Sequence, residues 1–163
     1  MLPEEWSDQI KAYWETFSKG KEINTAVTAE QWGWEGTPMA DELAELILKG
    51  TKTASCSSYD ECLYFDEDPT AKVGAYTIVL NSNSEPVGII QYTDMKIMPM
   101  NEVGPDIALA EGEGNRSYEY WYNSHKAFFT KLMPEIGKEF REDMLLAVER
   151  FELVHINVVG DVV

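Results

Sequence analysis

The apolar spacing of this chain changes character at Gly50, and that change does most to restrict its fold. Before it, Trp6, Ile10, Tyr13, Trp14 and Phe17 recur at helical intervals and stop ahead of Gly20, which predicts a helix over 4–18 with one buried stripe. A second helix is bracketed by Thr37 as cap, Pro38 as first helical residue and Gly50 as terminator, with Leu43, Leu46 and Ile47 inward. After Gly50 the pattern becomes short β-type runs at 53–58, 75–80, 87–93 and 96–98, and the turn Asn81 to Pro86 joins the middle two as a hairpin. A third helix follows Ser117 as cap, with Tyr118, Trp121, Tyr122, His125, Phe128, Phe129 and Leu132 on its buried side, and a last strand covers 145–154. Helices first, then a mostly antiparallel sheet interrupted by a helix, predict an α+β fold whose strands curl into a small barrel.

The chain's 163 residues suit one domain spanning 1–163, with the N-terminal helix packed on it, and no repeat or linker divides it. With 44% hydrophobic residues and five Trp, this is not a disordered acidic segment. No apolar stretch approaches the roughly 20 residues that cross a bilayer, and Glu4 and Glu5 stand where an export signal would be basic. A cytoplasmic protein without a membrane partner is expected. Cys56 and Cys62 match no zinc spacing, and only two His accompany them, so neither a metal nor another cofactor is expected, nor a disulfide in a reducing compartment. The formal charge of −16 disfavours a long polyanion, because tracking a phosphate backbone takes a basic face. Any RNA contact would be local, through a patch such as Lys49, Lys52, Arg116 and Lys126. Nothing in the sequence fixes the oligomeric state.

Two segments have compositions that packing explains poorly. One is Gly50-Thr51-Lys52-Thr53-Ala54-Ser55-Cys56-Ser57-Ser58, small hydroxyl residues around one Lys directly after a helix stop. The other is Ala110-Glu111-Gly112-Glu113-Gly114-Asn115-Arg116-Ser117, an acidic Gly-rich loop entering an aromatic helix. Taken singly, a solvated Lys and a mobile acidic turn would account for them. Arg116 suits either anion binding at a helix start or a surface ion pair. Trp121 and Tyr118 suit base stacking or core packing, and His125 suits a hydrogen-bonded, half-buried role. Trp32 and Trp34 flank Gly33 in a loop, where they would roof a pocket or plug the barrel.

Taken together, the first segment resembles the Gly-x-Lys-x-x-[Thr/Ser] signature of the ASCH domain. The second, followed by Trp121 and His125 as Trp-x-x-x-His, resembles the second block of that family's longer bacterial members. The resemblance runs from about residue 34 to about 154. It implies a PUA-like barrel, a fold shared with RNA-binding domains and readers of modified bases. Where shorter members carry a basic residue two positions past the signature Thr, this chain has Ser57, which removes one expected grip on phosphate.

Some members resemble amidohydrolases that deacylate N(4)-acetylcytidine with a Lys, a Thr and a Glu. Motif to motif, these become Lys52, Ser55 and Glu113. The resemblance therefore implies a pocket for a small nucleoside-like ligand, with Thr53, Glu111, Gly112, Arg116, Trp34, Trp121 and His125 as candidate ligand-binding residues. A hydroxyl nucleophile needs a neighbouring base, and two arrangements stay open. Either Lys52 is that base and Glu113 handles the leaving amine, or Glu113 is the base and Lys52 stabilises the oxyanion. The alternatives to an amidohydrolase are a non-catalytic RNA-associated module and, third, a ribonuclease. Residues three apart on a strand point to opposite faces, so Lys52 and Ser55 converge only if Lys52 precedes the strand.

Overall fold

The computed structural model describes residues 2–158. Its helices are α1 (Asp8–Ser18), α2 (Pro38–Leu48), α3 (Tyr59–Tyr64), α4 (Pro105–Glu111) and α5 (Tyr118–Leu132). Its strands are β1 (Val27–Gln31), β2 (Ala54–Ser58), β3 (Tyr76–Leu80), β4 (Pro86–Pro99) and β5 (Leu145–Ile156), joined in one mixed sheet in the order β1-β3-β4-β5-β2. β1 runs parallel to β3, whereas β3–β4 and β2–β5 are antiparallel. The helix expected from residue 4 begins at Asp8, where the Ser7 hydroxyl accepts the Ile10 N–H. The two runs expected at 87–93 and 96–98 are one continuous strand, because the polar Asp94 does not interrupt the ladder. β1, α3 and α4 were not anticipated. Each is short, and β1 and α3 leave most of their residues partly or fully exposed, so neither shows a long apolar period.

The chain forms two compact units. Among the described residues, the first comprises 2–50, Gly74–Gln91 and 152–158. Its core sets Trp6, Ile10, Tyr13, Trp14 and Phe17 of α1 against Ile78, Leu80 and Ile89 of the β3–β4 hairpin. The α1 stripe thus packs a hydrophobic sheet face. Tyr13 adds one polar tie, its hydroxyl 2.7 Å from His155 Nδ1. Leu43 and Ile47 of α2 are buried as expected, while Leu46 is only partly so.

The second unit comprises Thr51–Val73 and Tyr92–Phe151. Here β2 pairs with β5 in the register Ala54↔Arg150, Ser55↔Glu149 and Cys56↔Val148. Ser58 ends β2 and caps α3 by accepting the Glu61 N–H. Ser117 caps α5 by accepting the Tyr120 N–H, and of the residues expected on that helix's buried side, Trp121, Phe129 and Leu132 are fully buried. α4 opens with Pro105 in its first turn and closes at Gly112 in the left-handed conformation, φ 70°. A Cβ on Gly112 would come within 2.4 Å of the Thr51 carbonyl oxygen. The end of α4 therefore touches the chain just before β2 at the one residue type that fits. Gly112→Ala should cost roughly 1–3 kcal/mol from backbone conformation alone, and more from the clash. Urea denaturation checks this, and a loss below about 0.5 kcal/mol, the range of an ordinary surface substitution, would contradict it.

Candidate functional site

The second unit holds an ionic cluster built where α4 meets the start of β2. Gly50 ends α2's last turn with φ 77°, and Thr51 and Lys52 lead into the strand, which begins at Ala54. Thr53 fixes the approach: its N–H donates to Ala110 O at 2.7 Å and its own carbonyl accepts from Phe151 N–H at 3.0 Å. These two bonds tie the strand's start to the α4 end on one side and to β5 on the other. Lys52 then has little freedom. It is 2% exposed, with Nζ donating to Glu111 Oε1 at 3.2 Å and to Glu113 Oε2 at 2.9 Å.

Glu111 is the hub. It is 1% exposed, and its second oxygen accepts from the Trp121 indole N–H and lies 3.1 Å from His125 Nε2. His125 Nδ1 sits 2.8 Å from the Trp121 carbonyl. Both ring nitrogens therefore face groups that only accept, a carbonyl and an ionised carboxylate, and the ring satisfies both only as the imidazolium. Burial pushes the His125 pKa down, but the Glu111 charge outweighs burial and the net shift is upward. Lys52 follows the same logic, with burial opposed and overcome by Glu111 and Glu113, so its pKa is raised. Burial alone would raise Glu111, yet Lys52 and His125 hold it below the ordinary carboxylate range. Two cations and two anions make the cluster neutral overall.

Side-chain alternation divides the remaining residues. Lys52, Ala54 and Cys56 share one face, and the Cys56 thiol donates to Glu111, with burial and that carboxylate pushing its pKa well up. Ser55 and Ser57 take the opposite face of β2, where Ser55 is partly exposed and cross-paired with Glu149. The structure thus brings together Lys52, Glu111, Glu113, Trp121 and His125. Glu113 alone among the charged members of the cluster reaches solvent appreciably, with 18% of its side chain exposed against 11% for His125 and 1–2% for the others. Trp121 is stacked between Tyr118 and His125, at centroid distances of 5.6 and 4.5 Å, so both faces of its indole are taken. Arg116 adopts φ 65° and donates to Leu109 O at 3.3 Å, bracing the last turn of α4. Trp34 belongs to the first unit, in the turn before α2, where its carbonyl accepts from the Thr37 hydroxyl.

Cys56 was missed as a member of the cluster, although a residue four past Lys52 on the same strand face was a readable signal. Glu149, in the last strand beside Arg150, was not singled out as a site residue; it is 7% exposed, with Lys72 Nζ 3.9 Å from its Oε2. An open groove of about 590 Å³ runs beside the Glu113 loop, lined by Asn115, Ser117, Glu119, Tyr120, Asn123 and Ser124. Among the described residues, no group of three or more His, Cys, Asp or Glu side chains is placed to hold a metal ion, and no helix is long and apolar enough to cross a membrane.

The chain is similar to known proteins. The ASCH domain family model matches residues 30–155. The crystal structure of an ASCH domain from Lactobacillus crispatus JV V101 is 31% identical with a TM-score of 0.86, covering 95% of this chain and 99% of its own. Protein EF3133 from Enterococcus faecalis V583 is 33% identical with a TM-score of 0.81, covering 91% of this chain and 89% of its own. No curated protein matches. A family match over most of the chain, on an α+β fold that these structures share nearly end to end, means that the chain belongs to the ASCH domain family and has its PUA-like fold.

Proposed function

We propose that this domain is an amidohydrolase acting on an acylated nucleoside or a similar small amide. The observation that carries the reading is the state of Lys52, sealed and doubly ion-paired immediately before a strand that presents the partly exposed hydroxyl of Ser55. A Lys fixed as an ammonium is no base. It serves instead to hold the Glu111 to Gly114 turn against the start of β2. Of the two arrangements left open by the motif, the one with Lys52 as base is therefore disfavoured. Ser55 remains the nucleophile that the motif supplies, and its proton passes to a carboxylate. A small neutral substrate also agrees with a charge of −16.

The test is turnover of acylated nucleosides by purified protein and two variants. Ser55→Ala should lower kcat by about 100-fold or more with KM little changed, since only a transition-state interaction is lost. Ser55→Thr should retain activity. Parent-level turnover by Ser55→Ala would refute the covalent route and leave a water activated by Glu113.

The pH profile follows from the charge states. With Lys52 held as a cation, kcat/KM should rise through a carboxylate limb around pH 4–6 and stay level through about pH 9. A second rise above neutrality would instead mark Lys52 losing its proton. RNA affinity should be weaker than about micromolar at physiological salt. Sub-micromolar affinity falling steeply with salt would make the RNA-associated module the better account.

A further inference from the structure

The Ser55 proton needs an acceptor, and the cluster around Lys52 lies on the other face of β2. On the Ser55 face the antiparallel register sets Glu149 of β5 directly opposite. Directly opposed residues have Cβ atoms about 5 Å apart on the same side of the sheet, a separation that a rotated Glu side chain can bridge to a Ser hydroxyl. Glu149 is buried in a strand that also carries Arg150 and Glu152, and a buried carboxylate is costly unless it is paired. The neighbourhood is chemically distinct from the Lys52 cluster. Lys72 reaches Glu149 Oε2 at 3.9 Å from the 3-10 turn Pro69–Lys72 and lies 5.6 Å from the Tyr92 ring centroid, while Tyr92 meets Phe151 edge-on.

We propose that Glu149 is the general base for Ser55 and that Lys72 sets its basicity. This rests on the reading of Ser55 as nucleophile. In the acylation step Ser55 Oγ bonds to the acyl carbon and its proton passes to Glu149. As the carbon–nitrogen bond breaks, the same proton is returned to the leaving amine. Water then attacks the acyl-serine by the reverse relay, releasing the acid and restoring the Ser55 hydroxyl. The titratable groups within electrostatic reach of Glu149 are the Lys72 ammonium, the Cys62 thiol, the Cys56 thiol on the opposite face of β2, and the Tyr92 phenol beneath Lys72. Burial raises both thiols, so they stay neutral and Lys72 is the charge that tunes the carboxylate.

The experiment uses p-nitrophenyl acetate, whose activated ester reports Ser55 nucleophilicity without requiring the natural substrate, read by p-nitrophenolate release and by peptide mapping of the acetyl group. The parent should be acetylated on Ser55. Glu149→Gln should slow that acetylation by about 100-fold, and Glu149→Asp should restore part of it. Lys72→Met replaces a partly exposed residue and keeps most of its length; removing its charge makes Glu149 harder to ionise, so the acid limb of acetylation should move to higher pH. Acetylation of Ser55 at the parent rate in Glu149→Gln, an acid limb unmoved in Lys72→Met, or acetyl found only on lysines would each overturn the assignment. Glu149-dependent acetylation of Ser55 together with no turnover of any acylated nucleoside would sink the substrate reading and leave Glu149 as the base. Turnover of an acylated nucleoside that is intact in Glu149→Gln would do the converse.

Discussion

A carboxylate sealed inside a protein costs several kcal/mol unless charges and donors surround it, and Glu111 organises its unit by collecting them. Lys52 takes one oxygen, Trp121 and His125 take the other, and the Cys56 thiol adds a weaker bond. Each partner comes from a different place: the approach to β2, the strand itself, and two successive turns of α5. Satisfying one buried charge thus fixes three segments. The Ala110–Thr53 bond and the contact of Gly112 with Thr51 make the same junction from the backbone side. Removing either cation would leave the cluster with an uncompensated buried negative charge, which is far more damaging than losing one surface pair.

This arrangement bears directly on chemistry. A Lys beside a hydroxyl-rich strand invites the role of base, but two carboxylates at hydrogen-bond distance favour its charged form beyond what burial can reverse. On the reading proposed above, proton handling falls to carboxylates, and the alternation of β2 sorts these by face, Glu113 with Lys52 and Glu149 with Ser55. A single five-residue strand thus separates the buried ionic network from the hydroxyl proposed as nucleophile.

The long periodic elements were readable in the sequence because a stripe such as Trp6 to Phe17, or a cap such as Ser117, is a local signal that tertiary contacts reinforce. The 54–58 strand and the 81–86 turn were readable for the same reason. β1 escaped notice because its partner, β3, lies about fifty residues away in parallel pairing, and no local turn announces such a pair. In the site, the juxtaposition of Lys52 with Glu111 and Glu113 could be anticipated only from the two motif blocks together. The hub role of Glu111 was hidden because it depends on four donors gathered from 59 residues upstream to 14 downstream. Glu149 was not legible as a site residue, because it is one of three charges in the last strand and the register that sets it opposite Ser55 exists only in the folded sheet.

The central claim is that Glu111 holds two cations at once, and the protonation of His125 reports it most directly. Nitrogen NMR of the His125 imidazole, followed from about pH 6 to about pH 8 across the ordinary titration range of histidine, should show both ring nitrogens still protonated at the upper end. A neutral His125 ring at pH 7, with one nitrogen unprotonated, would mean that Glu111 does not carry the charge on which this account depends.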